Sequence, residues 1–135
     1  MSSMATAQLG DDVGKLVLRL IVGALVGLHG LNKLLHGIAP IEGMVQAAGL
    51  PAFTAYGVYV GEVLGPVLVI AGLYGRIGAA LIAVNMVVAI ALVHRPELAM
   101  LNQHGGWMLE LQGMYLFGAL ALVFLGPGRL SVDGR

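Results

Sequence analysis

Four apolar runs, each near the roughly 20 helical residues that cross a bilayer core about 30 Å thick, occupy residues 15–36, 52–73, 75–94 and 107–125. None shows the strict in–out alternation of a barrel strand, so each run predicts a membrane-spanning helix. The breaks between them carry stop signals: Pro51, the glycines of GLYG at 72–75, Arg95–Pro96, and GPG at 126–128. The connection around LYGRIG is very short, which makes spans two and three antiparallel neighbours. Between spans one and two, GIAPIEGMVQAAGLP places Ile41, Met44, Val45 and Ala48 on one helical face, and this predicts a short helix lying at the interface. The expected fold is all-α: a four-transmembrane-helix antiparallel bundle with one interfacial helix.

The flanks divide the chain into a cytoplasmic N-terminal tail over 1–14, a membrane domain over 15–126 and a cytoplasmic C-terminal tail over 127–135. MSSMATAQLGDDVG lacks the basic and apolar regions of a signal peptide, and Asp11 and Asp12 read as a solvated cap for the first helix. One side of the predicted bundle collects Lys15, Arg19, Arg76, Arg129 and Arg135, and the other only Lys33 and Arg95. The positive-inside rule then puts both termini in the cytoplasm, and the cell (inner) membrane is the expected location.

Composition agrees. Of 135 residues, 59% are hydrophobic and only 10% charged, with mean hydropathy +0.92. That is too little charge to cover a soluble globule, so lipid is the expected surrounding. A formal net charge of zero gives no attraction for nucleic acid. The absence of cysteine excludes a thiol relay and a thiolate-held cluster within the chain. Glycines at 23 and 27, and at 57, 61 and 65, have the spacing that lets helices approach closely, within the bundle or across a dimer.

Against this background the ionisable residues stand out. Arg19, Val22, Val26, His29, Lys33 and His36 step by three and four, forming one stripe that should face the bundle interior. Glu62 falls near the middle of span two, and Pro66, four residues on, has no N–H for its carbonyl. In a straight span three, Asn85 points away from Arg76 and His94, and His94, near the level of Lys33, is the expected pocket residue. Glu110 opens span four. His29 and Glu62 at matched depth are the candidate catalytic pair, with Arg19, Lys33, Arg76, His94 and Glu110 as candidate cofactor-binding groups. Arg19 and Lys33 have snorkelling as their alternative, while His36 and His104 read as loop residues and Tyr56, Tyr59 and Trp107 as packing or interface aromatics.

The run LRLIVGALVGLHGLNKL, the glutamate in GEVLGPVLVIAGLYGRIGA, the histidine closing span three, GGWMLELQG and the terminal GPGRLSVD occur in an ordered set. By that set the chain resembles the DoxX family of small four-span membrane proteins. The resemblance implies quinone-reactive subunits of thiosulfate oxidation systems, or membrane oxidoreductase complexes concerned with oxidative stress. Carried over by position, it points to Arg19, His29, Lys33, Glu62, Arg76, His94 and Glu110. Quinone is the implied cofactor, with a partner oxidoreductase chain or a homo-oligomer as the implied company. A non-enzymatic scaffold or assembly factor with a structural polar seam is the alternative. Haem or metal binding ranks behind both, because His29 and His94 differ by roughly 10 Å in depth and no di-iron spacing is present.

Overall fold

The computed structural model describes residues 2–134 and is all-helical, with five helical segments among them. Met1 and Arg135, the latter one of the charges counted for orientation, lie outside the described residues. α1 runs Ser3–His36, α2 Ala39–Ala47, α3 Ala52–Ala71, α4 Gly75–Glu97 and α5 Glu110–Leu125. α1, α3 and α4 are long and apolar enough to cross a membrane, while α5 has 16 residues.

Residues 3–14 are helical and continuous with the first apolar run. α1 starts at Ser3, capped by Ser2, whose hydroxyl accepts the Ala5 N–H at 3.2 Å. Met, Ala and Gln propagate a helix well, and two isolated glycines do not stop it. Asp12 therefore lies inside the helix rather than capping it. It is buried and accepts the Arg129 N–H at 3.2 Å. The residues after α5 fold back in the same way: Val132 N–H donates to Ala71 O at 3.0 Å, and Asp133 N–H to Gly72 O at 3.2 Å. The Asp133 carboxylate accepts the Tyr74 N–H at 2.7 Å, fixing a non-glycine residue at φ 49° in the α3–α4 turn. Gly72 takes φ 70° in that turn, the left-handed conformation in which glycine is the least strained residue.

α5 begins three residues later than the sequence predicts because Trp107 pairs with Leu101 in an isolated bridge and donates its indole N–H to Leu98 O at 2.8 Å. Its other end is capped by Arg76, whose Nη1 donates to Val123 O and Phe124 O at 2.7 Å each.

α1 and α4 each pack against both α3 and α5, so the four long segments close a ring. Val26, Val69, Ala79, Ile82 and Ala119 at its centre are completely shielded. The outside is as apolar as the inside: Val17, Leu28, Val67, Phe117 and Phe124 are each more than half exposed. Such a surface suits lipid and not water, as expected of a membrane protein.

Candidate functional site

Three helices meet where glycine removes the side chain from one of them. Gly30 of α1 lies directly against the Glu62 backbone of α3, and a Cβ there would overlap the Glu62 carbonyl. Gly61 of α3 lies in the same way against the Asn85 side chain of α4. Gly65 packs against Ile82 and the Gly78 carbonyl, and Gly23 against Ile70, so these small residues serve contacts within the chain. The Glu62 carbonyl, which Pro66 cannot serve, faces Gly30.

These approaches bring Lys33, Glu62 and Asn85 together. Lys33 Nζ donates to Glu62 Oε1 at 2.5 Å, and Asn85 Nδ2 to Glu62 Oε2 at 2.9 Å. Glu62 is only 5% exposed. Both carboxylate oxygens thus have a partner, which is the condition for keeping a charge away from water. Tyr59 O–H donates to Lys33 O at 3.2 Å and ties α3 to the end of α1.

Two wide turns shape the space beside this cluster. In α3 residues Val60–Leu64 form a π turn in which Gly65 N–H reaches Val60 O, one residue before the proline that has no N–H to give. In α4 a second π turn spans Ile90–His94. It overturns the expectation that Asn85 and His94 face opposite ways. Nine residues of regular helix separate side chains by about 180°, but a π turn absorbs one residue, or about 100° of phase. The remaining ~80° lets both line one cavity.

That cavity measures about 620 Å³. Its wall is apolar, built by Ile41, Met44 and Val45 of α2, Val58 and Val60 of α3, and Leu81, Val84, Val88 and Leu92 of α4. Lys33, Glu62 and Asn85 form a polar patch on it, and His94 a second polar point. His94 Nδ1 is buried without a hydrogen bond; Glu97 Oε2 stands 3.4 Å away in unsuitable geometry. A volume within the usual range for small-ligand sites, a greasy wall and a few convergent polar groups are the ordinary anatomy of a binding pocket.

The other expected site residues lie elsewhere. Arg19 does not reach Glu62; it is buried at the opposite end, held by the carbonyls of Val69, Ile70, Pro127 and Leu130. His29 is exposed and packs edge-on against the Tyr115 ring at 6.0 Å, on the α5 side. Arg76 caps α5, and Glu110 is exposed beside Asn102 at 3.4 Å. The α1 stripe therefore faces the interior only in part: Arg19, Val22 and Val26 are buried and Lys33 lines the cavity, whereas His29 and His36 are exposed. Asn85 and Tyr59 were missed or passed over. A lone amide inside the apolar run LIAVNMVVAI was the available signal for Asn85. Among the described residues, no group of three or more His, Asp or Glu side chains gathers for a metal ion.

Gly30→Ala is expected to cost about 1–3 kcal/mol by forcing α1 off α3. Gly14→Ala, in the same helix with open space around it, is expected to be neutral or slightly stabilising. Detergent thermal melts of both variants check this; equal melting temperatures would contradict the close approach.

The family model that matches the chain is DoxX, over residues 14–95, which includes Lys33, Glu62, Asn85 and His94. A Bacillus subtilis protein named "Putative oxidoreductase CatD" is 35% identical over 108 residues, covering 78% of each chain. An uncharacterized protein of Haemophilus influenzae is 31% identical over 121 residues, covering 87% of each. An uncharacterized membrane protein of Mycobacterium tuberculosis is 30% identical over 132 residues, covering 87% of this chain and 78% of its own. No solved structure matches. With a family match over more than half of its length and these relatives over most of it, the chain belongs to the DoxX family.

Proposed function

We propose that this protein is the quinone- or small-molecule-binding component of a membrane oxidoreductase system, with the cavity beside Lys33, Glu62 and Asn85 as its binding site. The observation that carries the reading is a buried Glu62 carboxylate, with both oxygens partnered by Lys33 and Asn85, opening on an apolar cavity of about 620 Å³. The donor set fits a quinone. Lys33 has three N–H groups and commits one to Glu62; Asn85 has two and commits one. The remaining N–H groups can meet a carbonyl head, while the valines and leucines accept a ring and tail. A bound quinone supplies the capacity to carry two electrons with two protons. In this arrangement Lys33 and Asn85 bind and orient the head, Glu62 holds Lys33 in place, and the apolar wall excludes water. The name of the Bacillus subtilis relative is consistent with redox service.

In this reading the four long helices cross the cell (inner) membrane as an antiparallel bundle, α2 lies at the outer interface, and both termini are cytoplasmic. Arg19, Arg76 and Arg129 share the end where residues 123–133 pack, which suits the positive-inside rule. A partner chain or a second copy completes the electron path.

The test is equilibrium binding of decylubiquinone to the protein in lipid nanodiscs. Lys33→Met is expected to weaken binding about 10- to 100-fold, the worth of a hydrogen bond from a charged donor. His29→Ala, outside the cavity, should leave it unchanged. Equal affinity for Lys33→Met and wild type would remove the reading and favour a purely structural role for the pair.

A further inference from the structure

The cavity is not sealed within the bundle. Val60 of α3 and Val84 and Val88 of α4 line it and are 43%, 62% and 48% exposed, so a molecule the size of water reaches these wall residues freely. Val60 and Val84 neighbour Glu62 and Asn85 along their helices, so this opening lies at the level of the charge pair, midway along two long apolar segments. Toward the loops the space is roofed: α2 packs against both residues 52–56 and the π turn at 90–94, and supplies Ile41, Met44 and Val45 to the wall. The open side is thus apolar and faces sideways.

The polar patch also limits the occupant. Lys33 and Glu62 cancel in charge, and both carboxylate oxygens are already engaged. An ionic ligand would add an uncompensated net charge to a neutral pair beside an apolar wall. What the Lys33–Asn85 side of the patch offers a head group is chiefly its spare N–H donors, with His94 as a separate polar point.

We infer that the cavity opens laterally between α3 and α4 into the bilayer and takes an uncharged, lipid-dissolved molecule whose head accepts hydrogen bonds. This rests on the ligand-binding reading above and narrows it. Water-soluble and ionic small molecules are excluded as occupants, and the route of entry is fixed. A tailed molecule has its head at Lys33 and Asn85 and its tail leaving past Val84 into the acyl chains.

The chain has no cysteine, so one introduced cysteine carries a nitroxide label without competition. Val84→Cys places the label at the opening; Val67→Cys, 58% exposed on α3 and away from the cavity wall, is the control. In nanodiscs both labels should collide with oxygen and not with nickel-EDDA, as lipid-facing sites do. Adding decylubiquinone should remove the mobile component of the spectrum at 84 and leave 67 unchanged. Collision with nickel-EDDA at 84, or a label immobile there before any ligand, overturns the lateral opening. Saturable binding without any change at 84 also overturns it while leaving the ligand-binding reading intact. If decylubiquinone does not bind at all, it is the underlying reading that falls.

Discussion

Arg19→Ala should destabilise the protein by about 3–5 kcal/mol and release residues 127–133 from the bundle. Its guanidinium is 2% exposed and makes four hydrogen bonds, all to backbone carbonyls: Val69 O at 2.9 Å, Ile70 O at 2.8 Å, Pro127 O at 3.0 Å and Leu130 O at 2.8 Å. Two of these carbonyls end α3, where only the Gly72 N–H reaches back to Val69 O at 3.2 Å, and two belong to the segment after α5. One side chain of α1 therefore closes the C-terminus of a second helix and pins the end of the chain. Hydrogen bonds to a charged group are worth about 1.5–3 kcal/mol each, but bonds sharing one side chain do not add, which sets the lower total. Alanine removes the donors and leaves the Ile70, Pro127 and Leu130 carbonyls without these partners, while Val69 O keeps only the Gly72 N–H at 3.2 Å. Lysine restores the charge but not the planar fork, so Arg19→Lys should recover only part of the loss. Thermal unfolding in detergent and limited proteolysis of the tail measure both effects. An Arg19→Ala protein that melts as wild type and keeps its tail protected would contradict this account.

Removing one member of the Lys33–Glu62 pair should cost a similar amount, and removing both should cost less than removing Glu62 alone. Glu62→Leu strands the Lys33 ammonium and the Asn85 amide beside an apolar cavity, at about 2–4 kcal/mol because Lys33 is only part-buried. Lys33→Met combined with Glu62→Leu removes both charges and keeps volume, which in other buried pairs is close to neutral. The double variant should then fold better than the single one while binding no quinone. This separates stability from function: if the pair is only structural, the apolar double variant keeps everything the protein does. Unfolding free energies of the four proteins in the cycle give the coupling directly. A coupling near zero would mean that the 2.5 Å contact contributes nothing.

The two predictions concern different levels of one molecule, and only the level of Glu62 and Asn85 carries the candidate chemistry. Lys33, Glu62, Asn85 and His94 come from α1, α3 and α4 and fall within the matched family region of residues 14–95. α5 lies beyond that region and lends no side chain to the cavity. Its part is to complete the ring by packing on α1 and α4, with Arg76 holding its end.

Much of this was legible in the sequence. Helix number, their approximate limits and the membrane setting follow from hydropathy and length, because a bilayer requires long apolar helices whatever their arrangement. Glu62 as the central group followed too, since a carboxylate deep in an apolar run has no cheap place to be. Tertiary structure alone decided which ionisable residues meet. Arg19, His29 and Lys33 share a stripe on α1, but the neighbour each one meets depends on how far along the stripe α3 and α5 pack. The π turn at Ile90–His94 rotates His94 onto the face of Asn85, a phase change that no regular periodicity predicts. The lock formed by Arg19 joins residues more than a hundred positions apart in sequence. Local pattern fixes which face of a helix is polar, whereas contacts between helices fix what that face touches.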